Sequence, residues 1–83
     1  MSQRAQSTWT IRSGEDFGRA IADIRAKRGV TQAELAAETG LTREYVAQLE
    51  HGRTARMLEH LLRILRRSGA TVTVTYGGRD GEA

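Results

Sequence analysis

The sequence predicts a mainly α-helical domain of four to five helices followed by one C-terminal β-strand. Three observations carry that prediction. Apolar residues recur at helical spacing, as in Phe17, Ile21 and Ile24 and again in Leu58, Leu61, Leu62 and Leu65. Residues that start and stop helices stand between those runs: Ser13, Thr31 and Thr42 before them, Gly29, Gly40, Gly52 and Gly69 after them. At "ATVTVTY" the pattern changes to strict alternation, with Val72, Val74 and Tyr76 on one side and three threonines on the other.

The segments follow in order. Residues 1–12 form a polar arm, mobile through residue 7 and in part extended where Trp9 and Ile11 alternate with Thr8 and Thr10. The helical domain occupies 13–69. Ser13, with Asp16 three residues on, is a short variant of the capping box and opens a helix over Gly14–Arg28. Lys27 and Arg28 suit its C-terminal dipole, and Gly29 ends it. Thr31 and Glu34 supply a full capping box for a short helix over Gln32–Thr39, which buries Leu35 and Ala36. Gly40 turns the chain, and Thr42 caps a third helix from Arg43 to about His51 with Val46 and Leu49 inward. After the basic loop "RTAR", the run "MLEHLLRILRRSG" carries an apolar stripe widened by Met57 and Ile64, broad enough to suggest burial against more than the chain's own helices. Residues 70–76 form a strand and 77–83 a polar, flexible tail.

Composition narrows the function. Eighty-three residues make one small domain, for which association with a second copy would add a useful amount of core. Without cysteine there is neither a disulfide framework nor a thiolate metal site, and His51 and His60 read as incidental rather than as ligands. No metal and no cofactor is expected. Twelve arginines against one lysine give a net charge of +3, and arginine's planar fork of donors suits phosphates and guanine edges. The N-terminal residues lack the apolar core of a signal peptide, and no apolar run approaches membrane-spanning length, so a cytoplasmic protein is expected. No Ser/His/Asp set, paired acids or phosphate loop points to catalysis.

The stretch "TQAELAAETGLTREYVAQLEHG" carries the chemistry. Two short helices joined by a tight turn pack closely when the crossing point holds a small side chain, here Ala36, and when the turn tolerates positive φ, here Gly40. With Val46 and Leu49 anchoring the second helix from beneath, this is the pattern of a helix-turn-helix, whose second helix enters the DNA major groove. An ordinary helical hairpin is the alternative. The residues left facing outward have suitable chemistry: Arg43 for guanine O6 and N7, Gln48 for an adenine edge, Ala47 for a thymine methyl. Glu44 can accept from cytosine, hold Arg43, or simply face solvent. Tyr45 sits between phosphate contact and core packing, and Arg53 and Arg56 are natural phosphate clamps.

Through "TQAELA", "TGLT" and "LEHGR" the chain resembles the Cro/repressor-type helix-turn-helix domains of the XRE family over about Phe17–Ser68. The resemblance implies a DNA-binding domain that acts as a dimer. It places base reading at Thr42, Arg43, Glu44 and Gln48, gives Gln32 a phosphate contact and a bracing role, and puts an ion pair at Arg25 and Glu50. Where many members carry Pro-Ser before the last helix, this chain has Arg56-Met57, which leaves the start of that helix open.

A lone strand leaves backbone groups unpaired and needs a neighbour. The candidates are Thr8–Arg12 of the same chain and the same strand of a second copy. Two-fold symmetry favours the copy. The expected dimer interface is therefore Met57, Leu61, Ile64, Leu65, Val72, Val74 and Tyr76. "LLRILRRSGATVTVTY" resembles the end of HipB-like antitoxins, which implies a homodimer that represses its own operon on an inverted repeat and binds a HipA-like kinase toxin. A stand-alone repressor, and a protein-interaction module that has lost DNA binding, are the alternatives.

Overall fold

The computed structural model describes residues 6–77, so the expectations for residues 1–5 and 78–83 fall outside it. In chain order the elements are β1 (Gln6–Ile11), α1 (Gly14–Arg28), α2 (Gln32–Thr39), α3 (Arg43–Glu50), α4 (Arg56–Arg67) and β2 (Val72–Gly77). Four helices and a C-terminal strand give the mainly α class that the periodicity predicts.

The caps explain the helix boundaries. Ser13 Oγ accepts from the Asp16 N–H, but the Asp16 carboxylate accepts from the Arg12 N–H at 2.7 Å rather than returning to Ser13, so this capping box is half made. At α2 both arms of the box close: Glu34 N–H donates to Thr31 Oγ1 at 3.0 Å, and Thr31 N–H to Glu34 Oε1 at 2.8 Å. Gly29 and Gly40 take φ of 70° and 77°, the left-handed conformation at which a side chain would be strained. At α4 the missing Pro-Ser has a visible consequence. The helix begins at Arg56 behind Ala55, which offers no side-chain cap.

The strands correct the sequence reading. β2 pairs antiparallel with β1 of its own chain, Ile11 opposite Val72, Trp9 opposite Val74 and Ser7 opposite Tyr76. The first neighbour of the strand is therefore the N-terminal arm, not a second copy, and Gln6 and Ser7 of that arm, expected to be mobile, belong to β1. The physical reason is that α4 returns the chain beside β1, where the matching alternation of the two segments gives one apolar sheet face to lay on the helices. Val72 and Val74, expected in a dimer interface, pack within the single chain with Trp9, Phe17 and Leu58 around the buried Ile11, Ala20 and Leu62. Tyr76 continues the same half-buried face, and Leu65 is half-buried beside Leu62 in a cleft of about 270 Å³ at the start of β2. Lys27, the one lysine, fixes β1 onto α1: its Nζ lies 2.7 Å from both Ser7 Oγ and Asp23 Oδ2, and 5.2 Å from the centre of the Trp9 ring.

A second packing centre lies under the turn between α2 and α3, where Ala36 and Val46 are almost fully buried. Here α1 crosses α3 at Gly18, and any Cβ on Gly18 would stand 2.5 Å from the Leu49 carbonyl oxygen and 2.7 Å from that of Glu50. The last turn of α3 therefore lies directly on the α1 backbone. Three large apolar residues of α4 face outward: Met57 is 79% exposed, Leu61 50% and Ile64 61%. No helix among the described residues is long and apolar enough to cross a membrane.

Candidate nucleic-acid interface

An α-helix turns every ~3.6 residues, so Val46 and Leu49 face inward while residues 43, 44, 47 and 48 share the outward side. Val46 is buried and Leu49 half-buried; Arg43, Glu44 and Gln48 are exposed, and Ala47 is partly covered. Thr42 caps the helix, its Oγ1 accepting from the Tyr45 N–H at 3.1 Å, which leaves its own hydroxyl proton free to donate outward. Tyr45 is 51% exposed and lies at the edge of the outer face. With Gln48, Leu49, Arg53, Thr54, Ala55 and Leu58 it lines a groove of about 500 Å³ between α3, the following loop and the first turn of α4.

The orientation of α3 is fixed from behind by one carboxylate. Glu50 Oε2 accepts from Arg25 Nε at 2.6 Å, and its Oε1 accepts from Arg25 Nη2 at 3.0 Å and from Gln32 Nε2 at 2.9 Å. Arg25 Nη1 also donates to the Val30 carbonyl at 3.1 Å, so one guanidinium ties α1, the turn after it and α3 together. The side chains of Arg25 and Glu50 are only 22% and 8% exposed. The Arg25 hydrogen bonds hold the Glu50 carboxyl below its ordinary range, with burial opposing and Gln32 assisting. Gln32, at the start of α2, spends one amide N–H on Glu50, and its second amide N–H has no partner among the described residues.

The charges of the outer side are arranged differently. Arg43, Arg53 and Arg56 are exposed, and none has a carboxylate partner among the described residues. Every basic side chain of α1 is paired: Arg19 with Asp16, Arg25 with Glu50, Lys27 with Asp23, Arg28 with Glu38. Arginines without counterions beside an exposed helix make a surface that attracts anions and can meet base edges and phosphates together. Among the described residues no His, Cys, Asp or Glu cluster is placed to hold a metal ion. His51 instead turns its Nδ1 to the Ala47 carbonyl at 2.8 Å.

Sequence reasoning missed two features near this surface. Gly18 gave no local signal because its constraint is the approach of a distant backbone. Glu59 looked like an ordinary polar residue of α4, yet its carboxylate accepts from the Gly14 N–H at 3.1 Å and from the Thr54 hydroxyl.

A helix-turn-helix family model matches residues 21–69, which takes in the second half of α1, both helices of the motif and all of α4. No curated protein and no solved structure matches the chain.

Proposed function

The chain belongs to the Cro/repressor-type (XRE) helix-turn-helix family and is a DNA-binding regulator, and from that premise we propose that it is a dimeric repressor of its own operon. The observation that carries this reading is the outer side of α3. Arg43, Glu44 and Gln48 are exposed there, flanked by Arg53 and Arg56, which have no carboxylate partner among the described residues, on a helix held from behind by Glu50.

In this reading Arg43 takes guanine O6 and N7 and Gln48 an adenine edge, while Thr42, Glu44 and Ala47 set the neighbouring positions. Gln32, Tyr45, Arg53 and Arg56 contact phosphates, supplying most of the affinity and a steep dependence on salt. Dimerisation is supported by the α4 ridge of Met57, Leu61 and Ile64, spaced four and three residues apart and mostly exposed in a single chain. The outer edge of β2 is a second means of joining two copies. A two-fold dimer presents its α3 helices about 34 Å apart, which fits an inverted repeat and blocks polymerase sterically.

The finer assignment is to the antitoxin of a HipBA-like pair, with a HipA-like kinase as the second partner. Its support is the likeness of "LLRILRRSGATVTVTY" to the end of HipB-like antitoxins. Co-purification with the product of the adjacent gene separates it from a stand-alone repressor.

The test of the DNA-reading role is selection of bound sequences from random duplex DNA by the full-length chain at moderate salt. An enriched inverted repeat with half-sites one turn apart is the expected result. A folded protein that enriches no sequence would sink the base-reading role.

A further inference from the structure

The loop between α3 and α4, residues 51–55, is part of the proposed interface and carries Arg53, with Arg56 immediately behind it. Its backbone is only partly tied down. Gly52 and Arg53 N–H donate to the Leu49 and Gln48 carbonyls, which secures its first half to α3. The Ala55 carbonyl accepts from the Leu58 and Glu59 N–H groups, which joins the end of the loop to α4, but Ala55 offers no side-chain cap and none of these bonds holds Thr54.

What anchors it is Glu59. This carboxylate lies in the first turns of α4, where it could stabilise its own helix N-terminus. It reaches across instead. Its Oε2 accepts from the Thr54 hydroxyl in the loop and from the Gly14 N–H at 3.1 Å, with Oε1 at 3.4 Å from the same N–H. Gly14 is the first residue of α1, so the acceptor also meets the positive end of that helix dipole. The site is closely built, since a Cβ on the buried Gly14 would run into both Glu59 and Thr54. On the other side of the loop, a Cβ on Gly52 would stand 2.8 Å from Glu15 Cγ. The loop is thus clasped between two points on the N-terminal turn of α1.

We propose that Glu59 is a positioning residue for DNA binding: through Thr54 and Gly14 it fixes the loop so that Arg53 and Arg56 reach phosphates together. This rests on the DNA-binding reading and adds a residue that touches no DNA. An anion near a phosphate-binding surface should by charge alone weaken affinity, so its net benefit must come from geometry. Ordering two long arginine side chains on a held loop costs less entropy at binding than ordering them with the loop.

The test compares salt-dependent DNA affinity of wild type, Glu59→Ala, Glu59→Gln and Thr54→Val, on the selected operator and on random-sequence duplex, well below each melting midpoint. Glu59→Ala is expected to weaken binding about tenfold and to flatten the log–log salt slope by about one to two, at ~0.9 per phosphate contact. Glu59→Gln keeps an acceptor for Gly14 and an amide for Thr54, and should retain the wild-type slope. Thr54→Val should move in the direction of Glu59→Ala by less. In an Arg53→Ala/Arg56→Ala background, Glu59→Ala should cost nothing further. An unchanged slope in Glu59→Ala, or a loss of equal size in that background, overturns the proposal. Because phosphate contacts need no operator, the random duplex keeps the comparison valid if no sequence is selected, a result that would count against base reading alone.

Discussion

Arginine is used in two opposite ways on the two sides of α3. Behind the helix, Arg25 is half-buried, bidentate to Glu50 and bonded to the Val30 carbonyl, so its charge is spent within the fold. In front, Arg43, Arg53 and Arg56 stand exposed with no carboxylate beside them among the described residues. The same side chain is structural where an acid meets it and available to a ligand where none does. Composition alone therefore says less about nucleic-acid binding than the pairing of each charge.

The sharpest way to break the rear side is at Gly18. The α3 carbonyls lie where a Cβ would go, so Gly18→Val must push α3 off α1 at the crossing that Arg25 and Glu50 also secure. A loss of about 3 kcal/mol or more in stability is expected, read from the urea midpoint, with DNA binding failing in parallel. A variant of unchanged midpoint would mean that α3 is not seated on α1 as described.

Next in size is Glu50→Ala, which leaves Arg25 and Gln32 without their acceptor and should cost about 2–3 kcal/mol. Its pH signature has a definite sign. Arg25 holds the Glu50 carboxyl below its ordinary range, so its contribution is present above the unfolded carboxylate pKa of about 4.3 and is lost as pH falls through the lower folded value. Glu50→Gln should therefore show a shallower loss of stability than wild type on acidification below that range. Equal acid sensitivity would assign the dependence to other carboxylates.

The front side is tested by a pair of variants with distinct signatures. Arg43→Ala should cost roughly 1–3 kcal/mol on the selected site and relax one base position, without shifting the unfolding midpoint. Arg53→Ala should weaken all sequences alike and lower the salt slope by about one. A uniform loss for Arg43→Ala would demote it to a phosphate contact, and the front side would then hold no arginine that reads sequence.

What was legible in the sequence divides along the same physical line. The helix limits were legible because caps are local: Thr31 with Glu34, Thr42 and the left-handed glycines act within a few residues of themselves. The outward set on α3 was legible from the spacing of Val46 and Leu49. The partner of β2 was not, since alternation in "TWTI" and "TVTVTY" shows that each can pair and leaves open which strand is met first. That choice depends on how α4 returns the chain to β1. Gly18 and Glu59 were hidden for a related reason, because a glycine made necessary by carbonyls some thirty residues away carries no local mark.

The smallest expected effect isolates the cause of the contrast behind α3. Arg28 and Glu38 join the end of α1 to α2 by a second bidentate pair, made by Nη1 and Nη2 at 3.0 and 2.8 Å where Arg25 uses Nε and Nη2, and Arg28 likewise holds the Glu38 carboxyl below its ordinary range. These two side chains are 35% and 44% exposed. Water competes for both partners, salt screens them, and two long side chains lose rotamer freedom in forming the pair, so Glu38→Gln should leave the urea midpoint close to the wild-type value. The effect should shrink further as ionic strength rises, whereas that of Glu50→Gln should not. If the two variants cost the same, burial would not be what separates the pairs. The weight given to Arg25 and Glu50 in seating α3 would then have to pass to the packing of Val46 and Leu49.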